Sequence, residues 1–222
     1  MKTARDAILT AIQAALIDVP HRPPEVDTPV TWAYAGSGNG QGAAHDAVVG
    51  LFAERCADYG AVVTRVGGAD VPGEAARLVL DHGVRRVACP AGLDAPVTRA
   101  LQAAGLELVA DTPPLSAEQL DGVDGVVTAC RVGVAETGTL VLDHAPDQGR
   151  RALSLVPDLH LCLIRADQIV LGVPEAVARL RPSVLAGRPL TWVSGPSATV
   201  DIELTRVEGV HGPRMLLVVV AE

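Results

Sequence analysis

Apolar residues recur at helical spacing over the first 17 positions, with Ala4, Ile8, Ile12, Ala15 and Leu16 on one side and Thr3 placed to cap the start. Pro20, Pro23, Pro24 and Pro29 then break the period, so residues 19–30 read as a linker or arm. From residue 46 the pattern alternates between two periods. Residues 46–59, 72–82 and 94–104 carry helical spacing, and each run ends at a glycine (Gly60, Gly83, Gly105), as left-handed C-caps favour. The intervening runs 61–66, 86–89 and 106–110 are apolar and of strand length. Ser116 with Gln119 predicts a capping box on a further short helix. Such alternation predicts an α/β fold with a mainly parallel sheet flanked by helices. Ligands of such sheets bind at the carboxyl ends of the strands.

The second half reads differently. Residues 126–128, 139–142, 159–164, 191–193 and 215–220 are strand candidates, joined by segments rich in Gly, Pro, Asp and Glu rather than by long helices. Polar loops on a strand scaffold are where function usually sits. The expected division is an N-terminal helix with its Pro-rich arm over 1–30 and an α/β domain over 31–222.

Composition narrows the chemistry. With 222 residues the chain can bury a sizeable core, but aromatic residues make up only 2%, so Val, Leu, Ala and Ile must fill it. A net charge of −8 argues against nucleic acid as a partner, because phosphate binding needs a basic surface. Lys2 is the only lysine, which closes the classes that need an internal Schiff-base or P-loop lysine. Cys56, Cys89, Cys130 and Cys162 form no Cys-x-x-Cys pair, so neither an iron–sulfur cluster nor a structural zinc site is signalled. Cys89 and Cys162 fall in apolar runs and read as small core residues. No apolar run approaches the length of a membrane span, and the N-terminus lacks the unbroken apolar centre of a signal peptide; a cytoplasmic location is expected. The apolar composition leaves room for a homodimer or a partner interface.

Candidate chemistry lies in five places. In the Gly-rich stretch 36–42, Gly38, Gly40 and Ala43 satisfy a loose dinucleotide pattern, but little β-run precedes it and no acidic residue closes the next strand, so a flexible linker is preferred. Glu136 is a lone carboxylate among small and apolar residues, and Thr137, Gly138 and Thr139 after it could cradle an anion; a turn whose Glu caps a neighbouring helix is the alternative. Asp158 and His160 would share one side of a strand, a carboxylate orienting an imidazole, although a simple strand-start hydrogen bond reads equally well. Ser194, Gly195, Ser197 and Thr199 resemble a loop entering a helix N-terminus, whose free amides attract carboxylates, with Asp201 and Glu203 following. His211 precedes the last strand. Glu136, His160 and His211 are the catalytic candidates; Thr137, Gly138, Thr139, Ser194, Gly195, Ser197, Thr199, Asp201 and Glu203 are the substrate-binding candidates. No metal site is assigned, although Asp158, His160, Glu203 and His211 include the residue types for one.

Four of these segments taken together, 135–140 (Ala-Glu-Thr-Gly-Thr-Leu), 155–160 (Leu-Val-Pro-Asp-Leu-His), 194–203 (Ser-Gly-Pro-Ser with Asp-Ile-Glu) and 209–213 (Gly-Val-His-Gly-Pro), resemble the signatures of the lactate-utilisation protein C family, which carries the LUD domain. Their order and spacing match from about residue 46 to the end. The resemblance implies a fold like that of the phosphosugar isomerase and CoA-transferase (NagB/RpiA) group. It also implies an accessory role in oxidising L-lactate to pyruvate, with no redox cofactor bound directly and iron–sulfur clusters on partner proteins. The pocket of such a subunit would bind a small carboxylate or hold a partner. Two other classes stay open: an independent CoA-transferase- or isomerase-like enzyme using Glu136 as a nucleophilic carboxylate, and a non-catalytic binding or regulatory module.

Overall fold

The computed structural model describes residues 3–18, 44–200, 206–209 and 211–222. The Pro-rich arm and the Gly-rich stretch 36–42 lie outside the described residues. The chain divides into two units, Met1–Ala35 and Gly36–Glu222. The first contributes α1 (Ala4–Ala15), closed at its start by a capping box in which the Asp6 amide donates to the Thr3 hydroxyl and the Thr3 amide to the Asp6 carboxylate.

In the second unit, α2 (His45–Asp58) leads into β1 (Val62–Val66), α3 (Val71–Asp81), β2 (Arg86–Cys89), α4 (Ala95–Ala103), β3 (Glu107–Ala110), α5 (Ala117–Asp121) and β4 (Gly125–Ala129). After these come β5 (Val132–Val134), β6 (Thr139–Leu142), β7 (Leu159–Arg165), β8 (Ile169–Val170), α6 (Val173–Leu185), β9 (Thr191–Val193), β10 (Ala198–Val200), β11 (Arg206–Glu208) and β12 (Met215–Ala221). Six strands pair in parallel in the order β1-β12-β7-β4-β2-β3. The expected α/β class and mainly parallel sheet are what the chain forms.

Side-chain alternation assigns the two faces. Leu159 and Leu161 of β7 with Leu217 and Val219 of β12 point to one side, where Ala75 and Val79 of α3 and Val97 and Leu101 of α4 cover them. Cys162 and Ile164 with Leu216, Val218 and Val220 point to the other, against Val49, Phe52 and Cys56 of α2 and Leu140 and Leu142 of β6. A second sheet, β8-β5-β6-β9, thus lies over the far face, and α6 packs Ala176 and Leu180 on its outer side against Val132, Val134 and Val141. Both faces of the parallel sheet are buried, which is why its strands read as near-continuous apolar runs. Burial pushes the thiols of Cys56 and Cys89 up to about 12, and that of Cys130 well upward, so these three are protonated core groups at neutral pH.

Helix α6 corrects the expectation that no long helix separates the later strands. Pro174 stands in its first turn, where a missing N–H costs nothing, and Pro182 falls so near the end that only the last turn is affected. A buried carboxylate fastens this helix to the second sheet. Asp143, just past β6, accepts from the Ser183 hydroxyl at 2.6 Å and from Arg188 at 3.3 Å, with Arg131 at 3.9 Å.

Candidate functional site

His160 is the second residue of β7, aligned with Leu216 of β12 on one side and Val126 of β4 on the other. Thr128 stands two residues beyond Val126 and so shares the face of His160; its hydroxyl lies 2.8 Å from Nε2 of the ring. Both side chains are buried. Desolvation pushes His160 down to about 4, so the ring is uncharged at neutral pH and acts as a hydrogen-bonding group rather than as a strong base. Among the described residues no hydrogen bond reaches Nδ1, and the ring lines a cavity of about 270 Å³. Ser194, Gly195, Ser197 and His211 line the same cavity.

Sheet register explains how distant segments reach this point. Leu140 of β6 pairs with Val193 of β9, so Thr139 and Ser194 come next across the antiparallel ladder, with hydroxyls 2.7 Å apart. Thr139 is in turn 2.8 Å from the Thr137 hydroxyl. The turn before β6 needs glycine. Gly138 has φ +56, and a Cβ there would sit 2.6 Å from the backbone carbonyl carbon of Arg55 in α2. On the far side, Ser197 fastens the 194–197 segment to 209–213. Its amide donates to Pro213 O at 2.8 Å, and its hydroxyl accepts from the His211 amide at 3.1 Å. The cavity wall at Thr191 is held by His144, which sits at φ 53 with Nε2 2.8 Å from the Thr191 hydroxyl and Nδ1 2.9 Å from Gly149 O.

Three findings differ from the sequence expectations. First, the cavity opens at the amino ends of β7 and β12. The carboxyl ends frame a separate cavity of about 600 Å³, lined by Gly68, Gly92, Asp147, Arg165, Gln168 and Val219 among others, and it contains none of the candidate residues. Second, segment 194–199 enters strand β10 rather than a helix, so the amide cluster of a helix N-terminus does not form, and the Ser197 amide is already engaged. Third, Asp158 does not orient His160. It is exposed and pairs with Arg214 at 3.5 Å, while Thr128 takes the orienting role.

The remaining candidates sort as follows. Glu136 and Thr137 are exposed on the turn between β5 and β6, the Glu136 carboxylate lying beside Gly172; neither is among the cavity-lining residues. Gly138 and Thr139 are buried behind Ser194. Thr199 lies in β10. Asp201 and Glu203 lie outside the described residues. Among the described residues no three His, Cys, Asp or Glu side chains gather as a metal would require. Sequence reasoning missed Thr128, His144 and Thr191. Thr128 could have been found as the one polar residue inside the apolar run 126–130, because a buried hydroxyl needs a partner.

The depressed His160 value has a measurable consequence. A histidine near 6.5 when unfolded and about 4 when folded contributes stability that is complete above pH 6.5 and is lost as pH falls toward 4. Between pH 7 and pH 4.5 the wild type is expected to lose roughly 2–3 kcal/mol more than His160→Gln, which keeps a hydrogen-bonding group but does not titrate. Urea unfolding of both proteins at the two pH values checks this; parallel losses would remove His160 as the cause.

A LUD domain model matches residues 95–221. Lactate utilization protein C of Deinococcus radiodurans is 53% identical over 169 residues, covering 76% of this chain and 77% of that protein. The Bacillus subtilis protein of the same name is 33% identical over 91 residues, and YkgG of Escherichia coli 41% over 93; the matches span only 38% and 39% of those proteins. A crystal structure of a DUF162 family protein from Deinococcus radiodurans superposes with a TM-score of 0.70 at 44% identity, covering 81% of this chain and 99% of that one. An α/β protein with a cleft of mixed polar and apolar lining at the amino ends of its central strands is therefore the class that the fold and site define. The chain belongs to the LUD domain family of lactate utilization protein C.

Proposed function

We propose that this protein is an accessory subunit in the oxidation of L-lactate to pyruvate and that the amino-end cavity holds the 2-hydroxycarboxylate. The observation that carries the reading is the convergence of His160, Ser194, Ser197 and His211 on one cavity from three separate stretches of chain. Family membership points to the substrate: similar proteins are named for lactate utilisation.

The residues suit binding and orientation. Hydroxyls of Ser194 and Ser197 offer donors to a carboxylate, and the neutral His160 ring, fixed by Thr128, offers one further hydrogen bond. Oxidation of lactate releases two electrons and two protons. His211, exposed at the rim, is placed to pass the hydroxyl proton outward, while the hydrogen on the α-carbon leaves as a proton with the two electrons passing to the partner proteins. Electrons leave through partner proteins that carry iron–sulfur clusters; protonated thiols at Cys56, Cys89 and Cys130 do not suit them as cluster ligands here. The protein acts in the cytoplasm in this reading. Among the described residues no helix is long and apolar enough to cross a membrane.

Deleting the gene is expected to abolish growth on L-lactate as sole carbon source, and a plasmid copy carrying Ser197→Ala with His160→Gln is expected to restore it poorly. Unchanged growth of the deletion strain, in a host without another lactate route, would overturn the proposal.

A further inference from the structure

We infer that the cleft between the end of α6 and the finish of β7 is a second anion site, and that it takes a phosphate group held by Arg131, Arg188 and Arg165. The inference stands apart from the reading of the amino-end cavity, with which this cleft shares no described lining residue.

Charge comes first. Three arginines from three separate stretches of chain line the cleft: Arg131 just before β5, Arg165 at the end of β7 and Arg188 just past α6. Asp143 and Asp147 are the acids of the described lining, so the balance there is positive in a chain whose net charge is −8. Such a wall suits an anion.

Two of these arginines are set in place from beneath. Asp143, 2% exposed, accepts from the Ser183 hydroxyl at 2.6 Å and from the Ala145 amide at 3.3 Å, which fixes its carboxylate. Arg188 donates to that carboxylate at 3.3 Å, and its amide donates to Ser183 O at 3.0 Å. The Arg131 amide donates to Val141 O at 2.8 Å, while its Nε stands 3.9 Å from Asp143, beyond hydrogen-bonding distance. Among the described residues Arg131 makes no side-chain hydrogen bond and Arg188 makes one. Most of the donors on these two guanidinium groups are therefore uncommitted. Arg165 spends two donors on Asp167, but both partners are exposed and such a pair is worth little, so its guanidinium is able to turn to a ligand.

The number of cations decides which anion fits. A carboxylate is planar and fills one guanidinium fork. A phosphate group presents three oxygens in different directions and carries close to two charges, enough for several arginines at once. Asp147, Arg165 and Gln168 also line the carboxyl-end cavity, so an organic group borne by the phosphate would have that cavity beside it.

Calorimetric titration of the full chain with inorganic phosphate, glycerol 3-phosphate and succinate, at constant ionic strength in potassium chloride, tests the proposal. At least one of the two phosphates is expected to bind with a Kd of about 1 mM or tighter. Binding of the ester alone supports the site and makes organic phosphates its source; binding of inorganic phosphate supports it with the free ion sufficing. Arg131→Gln leaves Asp143 its Ser183 and Arg188 partners, and is expected to weaken phosphate binding at least about tenfold with an unchanged melting temperature. Arg165→Gln, which gives up only an exposed ion pair, is expected to weaken it as well. Failure of both phosphates to bind overturns the inference. Binding that survives Arg131→Gln and Arg165→Gln together lies elsewhere on the chain and overturns it too. Succinate bound as tightly as phosphate, and lost in the same variants, overturns the choice of phosphate.

Discussion

Gly138→Ala is expected to destabilise the protein by roughly 2–5 kcal/mol, the sum of a left-handed backbone penalty and an overpacking penalty. The first arises at φ +56, which L side chains rarely adopt. The second arises because the new methyl would meet backbone, at 2.6 Å from Arg55 C and 2.7 Å from Cys56 N. Backbone in a helix cannot swing aside as a flexible side chain can. The last turns of α2 would have to lift, breaking the contact of Cys56 Sγ with Gly138 O at 3.4 Å and uncovering Phe52. Gly187→Ala is the control, since Gly187 has a comparable φ of +70 with nothing within 4 Å of the added carbon. It is expected to cost only about 1 kcal/mol. Urea unfolding midpoints at constant m-value separate the two; equal losses would mean that backbone strain, and not the approach of α2, explains Gly138.

Asp143→Ala is expected to cost a similar amount, roughly 3–5 kcal/mol, because it breaks a buried charge network by removing its centre. Asp143 is 2% exposed and accepts from Ser183, the Ala145 amide and Arg188. Burial works to raise its carboxyl, yet these donors and Gln148 outweigh burial and hold it below the usual range. Truncation leaves the buried Ser183 hydroxyl without its acceptor and frees α6 from β6. Asp143→Asn keeps an acceptor for Ser183 and is expected to lose less. The sign with pH follows from the lowered value. Stability from Asp143 is complete above its unfolded value of 3.8 and is lost as pH falls through the lower folded value, so wild type and Asp143→Asn converge in strong acid. A gap between them that stays constant down to pH 2 would refute the electrostatic account.

Much of the parallel sheet was legible because its signals are local. Gly60, Gly83 and Gly105 follow α2, α3 and α4 with positive φ, as chain punctuation alone suggested. Ser116 and Gln119 form the expected capping box. The second sheet was not legible as a sheet. Its strands are two to four residues long, and the pairing that builds the cavity joins Leu140 to Val193 across the whole of β7 and α6. Two prolines disguised α6. His144 gave no sign of its left-handed backbone, because that conformation is imposed by Gly149 and Thr191 and not by its own neighbours in sequence. The candidate residues 194, 195, 197 and 211 were found through their Gly, Ser, Pro and His content, whereas the end of the sheet they occupy depends on topology. Placing ligands at carboxyl ends is a rule for crossovers that are helices. Here the β7-to-β12 connection carries α6, β9 and the β10–β11 hairpin, and β9 brings Thr191–Ser194 back past the starting edge of β7.

Strand β7 runs from one cavity to the other, with His160 in the wall at its start and Leu163, Ile164 and Arg165 in the wall at its finish. At about 3.3 Å per residue the two mouths stand some 15 Å apart on opposite poles of the sheet. A protein seated over either pole leaves the other facing bulk water. On the proposed reading, a partner docked at the carboxyl-end pole would therefore leave open the route by which a small acid reaches the amino-end cavity.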